Sequence, residues 1–473
     1  MTRQPFASIP PRSHRGQQGA ATLIVVMLLF FIISMVAAYT SRNLIFEQRT
    51  SANQYRTTQA FEASEAGLEW ALAQLNAGRI TNTCTPSTDD AAATHQSFAQ
   101  RYLAVDAVSG VITPRAASSG GAVQPRCVFD SSSGTPANWT WNCACPVPDA
   151  ATAGLTAPGG TGPAPAFALR LRQTLQVVGA RTDLVQLEAI SCTRLDNACL
   201  TFPLTATDDR GGSGDGVAAT NVVLALRGAL TRPPAGALTV AGTLADLPGG
   251  ATLMLNNQEA TASGLTLHTA AAVPASGPVP TGVTPRGLPG TPPASTTQWA
   301  DSSLAPASAS LASAVLSTQD RRFAQFFGVR PATYFGQPGM AEVDCSAGCA
   351  AADINLALLR NPGRAIRVLG AGALLIDANI GTAAVPALLI VEGDVTFAAN
   401  VTLVGMIYGR KPNWSWTVNG AATIVGAAVA EDNLTLAGAS GAMAISYDKP
   451  TLTALRVSYG TFVRVPGSWK DFQ

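Results

Sequence analysis

Charge is scarce in this chain: Asp, Glu, Lys and Arg make up 12% of 473 residues, and the formal net charge is +1. No basic stripe stands out, so the sequence lacks the electrostatic footprint of a nucleic-acid binder. Histidine is scarcer still, with three residues in all. One sits near the N terminus, and His95 and His268 stand alone, which leaves little for a Ser/His/Asp arrangement. No G-x-S-x-G elbow, phosphate-binding glycine loop or dinucleotide fingerprint falls between a strand and a helix, so neither catalysis nor a cofactor is expected. The 47% hydrophobic content argues against a disordered chain. Proline is missing from Ala20 to Ala77, and glycine occurs there once, at Gly67. Elsewhere both abound, with 44 glycines and 31 prolines in the whole chain. That favours β-structure with tight turns over a helical enzyme.

Ala20 to Tyr39 reads AATLIVVMLLFFIISMVAAY, with no charge, proline or glycine. At about 1.5 Å per residue this run reaches ~30 Å, enough to cross a bilayer core. Residues 1–19 before it form a short leader with Arg3, Arg12 and Arg15. A secretory signal peptide would need a shorter apolar core and a small-residue cleavage site, for which Ala37–Ala38 is the one candidate. Arg42, Arg49 and Arg56 follow the run closely, so the positive-inside count is nearly balanced. The helical pattern continues through residues 40–78. Phe61, Leu68, Leu72 and Leu75 share one face, Glu62, Glu65 and Glu69 line another, and Ala60, Ala63 and Ala66 keep a third side thin. The apolar face reads as packed on its own domain, and the thin side as room for neighbouring helices. Asn76 and Gly78 supply the stop.

Gln17 to Leu75 resembles the N-terminal region of PilX-type minor pilins of bacterial type IV pili. The shared features are the basic leader ending in Gly19, Leu23–Ile24–Val25 opening the apolar run, and Glu47–Gln48–Arg49 beyond it. Closest is Gln59–Ala60–Phe61–Glu62–Ala63–Ser64–Glu65–Ala66–Gly67–Leu68, which is similar to the family's "AF-x-A-A-E-A-G-L" helix. The resemblance implies cleavage by prepilin peptidase between Gly19 and Ala20. Major pilins carry a glutamate five residues into the mature helix, where this chain has Ile24. That departure is shared with PilX-like proteins and with some type II secretion pseudopilins.

Beyond the helix, Phe167–Arg172, Val185–Ile190 and Asn221–Leu226 alternate or run apolar as strands do. They fit the helix-on-antiparallel-sheet head of pilins. Residues 150–166 and 208–216 read as surface loops. From 234 to 458, apolar runs end repeatedly in glycine, at Gly242, Gly370, Gly393, Gly420 and Gly426. Such spacing suits the rungs of a right-handed β-helix or similar β-solenoid, with an ordinary β-sandwich as the competing architecture. The Pro/Ser/Ala-rich stretch 274–352 reads as an insertion holding a helix at 307–327. The expected fold is therefore α+β: a long N-terminal transmembrane and amphipathic helix with a pilin-like antiparallel sheet over 79–233, then a β-solenoid domain over 234–458 and a tail over 459–473. Tyr408–Gly409, Tyr447–Asp448 and Gly467–Asp471 resemble the C-terminal half of the longer PilX-like proteins, and favour a pilus over a secretion system.

All eight cysteines, Cys84, Cys127, Cys143, Cys145, Cys192, Cys199, Cys345 and Cys349, lie beyond the apolar run. An even count on one side of a membrane points to an oxidising compartment and disulfides. Cys192–Cys199 and Cys345–Cys349 close short loops, and the other four allow three pairings. Cys143-x-Cys145 has no second half with zinc spacing, so no metal site is expected. Asp208, Asp209 and Asp215 miss the EF-hand pattern. Glu392–Asp394 and Glu431–Asp432 read as isolated turn acids rather than a glycan-cleaving cluster. The expectation is a minor pilin supporting pilus assembly and adhesion, anchored in the bacterial inner membrane with a periplasmic C-terminal domain and then carried to the pilus and cell surface. Its partners would be other minor pilins, the major pilin, prepilin peptidase and a large tip adhesin, with no nucleic acid. The alternatives are a type II secretion minor pseudopilin and a membrane-anchored glycan-binding solenoid.

Overall fold

The computed structural model describes residues 18–116, 123–148, 154–159, 164–174, 183–195, 200, 202, 216–273, 279–304, 317–338, 340–438 and 441–470. Helix α1, Gln18–Leu75, is continuous over 58 residues, roughly 87 Å at the α-helical rise. Nothing in it breaks the ladder, and Gly67 has a packing reason. A Cβ there would lie 3.0 Å from the ring of Phe167, so glycine lets the helix sit close on the sheet beneath.

That sheet is the head. Its strands are β3 (Arg126–Asp130), β4 (Thr140–Ala144), β5 (Ala166–Gln173), β6 (Leu184–Cys192) and β7 (Val217–Gly228), all antiparallel. A short helix α2 (Phe98–Tyr102) and a two-stranded ribbon of β1 (Leu103–Val105) and β2 (Ile112–Pro114) flank it. Ser97 and Gln100 form a capping box that starts α2. Leu68, Ala71 and Leu75 of α1 join Phe98, Phe167, Leu187 and Leu224 in one buried core.

The second half is a parallel solenoid. Strands β8 (Gly236–Val240), β9 (Thr252–Asn256), β10 (Leu265–Thr269), β11 (Val283–Arg286) and β12 (Thr297–Gln298) come first in the chain. After helices α3 (Thr318–Phe327) and α4 (Pro331–Phe335) come β13 (Ala341–Asp344), β14 (Cys349–Ala350) and helix α5 (Ala351–Arg360). The rungs then run through β15 (Ile366–Leu369), β16 (Leu374–Ile376), β17 (Ala387–Val391), β18 (Val395–Phe397), β19 (Val401–Gly409), β20 (Asn413–Val418), β21 (Ala421–Ala430), β22 (Asn433–Ala437) and β23 (Ala442–Tyr447). Leu374 pairs with Val395 and Val395 with Trp416, steps of about 21 residues. Gly405 and Gly426 lie in register in the middle of β19 and β21, both at positive φ, and a Cβ on Gly426 would strike the Gly405 carbonyl. The glycines divide each strand. Before them the outward side chains, such as Thr402 and Val404, are half-buried; after them Met406 and Tyr408 lie under α3 and α6 (Lys449–Val457).

Several boundaries differ from the sequence expectation. The stack continues past β23 into β9 and past β21 into β8, so residues 236–256 extend the far end of the solenoid. Strands β11 and β12 pair with β9 and β10, so 274–352 is partly solenoid rather than an insertion. The helix expected at 307–327 is α3 from Thr318, and residues 305–316 lie outside the described residues. The expected tail contains β24 (Gly460–Arg464), which pairs antiparallel with β7 and completes the head sheet, Gly460 opposite Gly228. The solenoid is thus inserted between two hydrogen-bonded neighbours of the head. Helix α5 covers one end, burying Ile354 and Leu358 in the solenoid core. At the other end β11 carries Pro285, which lacks the N–H that further strand pairing needs.

Candidate assembly interface

Residues 21–55 of α1 are exposed without exception, including Phe30, Phe31 and Phe46 at 72%, 63% and 71%. Among the described residues α1 is one helix long and apolar enough to cross a membrane. An apolar cylinder of this length must be covered by lipid or by other helices, because water solvates it poorly. The Gly19–Ala20 bond lies in its first turn, and residues 1–17 lie outside the described residues.

The seat of the helix starts near Arg56, whose carbonyl approaches Gly216. Ala60, Ala63, Ser64, Gly67, Leu68, Ala71 and Leu75 then face the sheet. Ser64 is hydrogen-bonded to Thr220, and the Ser191 hydroxyl donates to the Ala60 carbonyl. The thin alanine side expected to admit neighbouring helices is therefore in large part filled by the chain's own sheet. Small side chains let the two backbones approach, and the buried hydroxyls replace water as partners. Phe61 lies at the edge of this seat against Trp469, and Glu62, Glu65 and Glu69 stay exposed, Glu69 paired with Arg464 at 2.6 Å.

The helix ends in a lock. Asn76 is buried; its amide donates to the Phe462 carbonyl at 2.9 Å and its oxygen accepts from the Phe462 N–H at 2.9 Å. Arg364, from the solenoid, donates to the Leu75 carbonyl at 2.9 Å and to the Gly460 carbonyl. It satisfies an orphan carbonyl at the negative end of α1. Burial without a carboxylate partner pushes its guanidinium down to about 10. Arg360 grips Asp90 through two bonds of 3.0 and 2.7 Å, and the Arg79 N–H donates to the Arg360 carbonyl. Head, stem and solenoid meet at these few residues.

The cysteines staple the same body. Cys84 is bonded to Cys145, Cys127 to Cys143 and Cys345 to Cys349. Cys192 is also disulfide-bonded, and Cys199 lies outside the described residues, as do Asp208, Asp209 and Asp215. Cys143 and Cys145 go to different partners on opposite sides of their strand. His268 is not isolated: its Nε2 meets Asp301 Oδ2 at 2.6 Å, and Gln298 donates to the same oxygen. His95 Nδ1 meets the Ser87 hydroxyl at 2.8 Å.

The turn acids divide. Glu392 pairs with Arg367 at 2.7 Å and Asp394 with Lys411 at 2.6 Å, which satisfies both at the surface of the rungs. Glu431 is different. Its side chain is fully buried under α3, its oxygens have no hydrogen-bond partner among the described residues, and Arg410 Nε stands 3.6 Å away. Burial pushes its carboxyl up to about 8, with Asp320 and Asp432 adding repulsion against the pull of Arg410 and Arg322. Sequence reasoning placed Glu431 in solvent because the cover comes from α3, far away in the chain.

The family described as PilX N-terminal matches residues 18–69, the stem and the start of its seat. Through this region the chain resembles PilX-like type IV pilins. No curated protein matches the chain. Among solved structures it is similar to the competence-associated pilin ComZ from Thermus thermophilus, at 12% identity over 88% of this chain and 97% of that one. The TM-score of that superposition is 0.18, too low to carry an argument about the fold.

Proposed function

We propose that this chain is a minor pilin of a type IV pilus, made as a precursor, cut by prepilin peptidase at the Gly19–Ala20 bond and then drawn from the inner membrane into the fibre. The observation that supports it most is the PilX N-terminal match falling on a helix whose apolar half stands free of its own domain. The work is assembly rather than catalysis. Residues 21–55 exchange lipid for the stems of neighbouring pilins, and the head stays outside. A solenoid inserted in the head adds bulk that repeats poorly along a crowded fibre, which favours a position at the tip or in the priming complex beside other minor pilins and a large adhesin. The test is the N terminus of the protein recovered from sheared pili. It should begin at Ala20, and Gly19→Ala should leave uncut precursor in the membrane. Pili carrying the chain with residues 1–19 intact would overturn the proposal.

A further inference from the structure

A cleft of about 380 Å³ lies where head and solenoid meet. That volume is within the range of ligand sites. Its apolar wall comes from Leu103 and Val105 of β1, Leu226 of β7 and Phe462 of β24. Its polar groups are cationic or neutral: Arg115 and Arg364 line it, and no Asp or Glu does. Arg364 is buried and engaged only by carbonyl and amide oxygens. Arg115 is exposed, spends its Nε on the Leu103 carbonyl at 3.1 Å, and faces no carboxylate among the described residues. Tyr459, 6% exposed, also lines the cleft, and its hydroxyl has no hydrogen-bond partner among the described residues. A buried phenol left unpaired in a cationic cleft is an unfilled position for an acceptor.

One wall is also a strand edge. β1 pairs with β2 alone, in a two-stranded sheet, so its other side is open. An extended segment added there would gain backbone hydrogen bonds, place alternate side chains on the apolar wall, and point the others at Arg115 and Tyr459. We propose that this cleft docks an extended peptide segment with carboxylate side chains from a partner protein, read by Arg115 and the Tyr459 hydroxyl along the open edge of β1. The inference stands apart from the pilus reading, since it needs only the junction between head and solenoid.

The probe is a fluorescein-labelled hexapeptide alternating valine and glutamate, titrated by fluorescence polarisation against the full chain in detergent micelles. The matched valine–glutamine hexapeptide serves as comparison. The glutamate peptide should bind about tenfold or more tightly than its glutamine analogue, the usual reward of a charge-assisted pair. Arg115→Gln should erase that preference, and Tyr459→Phe should weaken binding severalfold with the melting temperature unchanged. Equal affinity for the two peptides, binding indifferent to Arg115→Gln, or no binding of either would overturn the proposal. So would displacement of the peptide by inorganic phosphate alone at matched concentration, because the cleft would then hold a lone anion and not a strand.

Discussion

Glu431→Gln removes a charge from beneath α3 while keeping the side chain's shape, and its effect on stability should depend steeply on pH. Burial lifts the Glu431 carboxyl from 4.5 to about 8, so between those values the folded chain holds a proton that the unfolded chain has released. The stability linked to that proton is fully present below pH 4.5 and is lost as pH rises through 8. The gap corresponds to ~5 kcal/mol as a ceiling, and water admitted by slight opening of the cover brings the expected figure to about 2–5 kcal/mol. Asp320 and Arg322 face the carboxyl from α3, Tyr408 from β19, Arg410 from just beyond that strand, and Asp432 from the same turn. All of them are present in both proteins, so the difference between wild type and variant isolates position 431. Relative to wild type, the variant should gain several degrees in melting temperature at about pH 9, at ~2–4 °C per kcal/mol for a unit of this size, and nothing at about pH 4.5. It should lose slightly at low pH if the amide packs less well against Arg410. A wild-type-to-variant difference that stays flat from acid to alkaline conditions would refute the reasoning, because the carboxyl would then be ionised and solvated in the fold.

Two further outcomes follow from the same structure. Opening the Cys84–Cys145 bridge, which spans 61 residues, should cost about 4 kcal/mol by loop-closure entropy, whereas opening Cys345–Cys349, which spans 4, should cost about 2 kcal/mol; denaturation of the two double-serine variants measures both, and equal losses would contradict the ordering. Gly426→Ala should destabilise the solenoid by more than ~2 kcal/mol, since the new Cβ meets the Gly405 carbonyl at a φ of +138°, while Gly159→Ala, with open space around it, should change the melting temperature little.

What could be read from the sequence was what repeats or runs continuously. The absence of proline between Ala20 and Ala77 gave α1 within two residues of its end, because a helix announces itself by local composition. Glycines spaced along apolar runs gave a stacked solenoid, because every rung must turn at similar places. Pairing between distant segments leaves no such trace. Nothing local in Gly460–Arg464 tells that it returns to β7, or that β9 stacks on β23, since any apolar strand satisfies those partners equally. The same limit hid the seat of the stem. Ala60, Ala63 and Ser64 are small, and a small side serves a neighbour's helix or the chain's own sheet alike. Gly67 was the one residue that could have decided it: a glycine where alanine would strengthen the helix must answer to something close, here Phe167. His268 was misread for a related reason, its partner Asp301 arriving from the next rung.

The insertion of the solenoid between β7 and β24 has a mechanical consequence for a protein whose stem is held by others. A domain strung at the end of the chain would hang from one linker. This one leaves the head at Gly228 and returns at Gly460, opposite residues of one antiparallel pair, so both of its tethers are fixed by the same ladder. The stem ends at that ladder too, through Asn76 bonded to Phe462 and the Leu75 carbonyl bonded to Arg364. Force entering along α1 is therefore divided between the sheet core beneath the helix and a solenoid arginine, and neither can move without breaking buried hydrogen bonds of the other. Buried polar locks of this kind cost more to leave half-made than they contribute when complete. The three parts consequently hold one orientation, and whatever the solenoid presents is presented at a fixed angle to the stem.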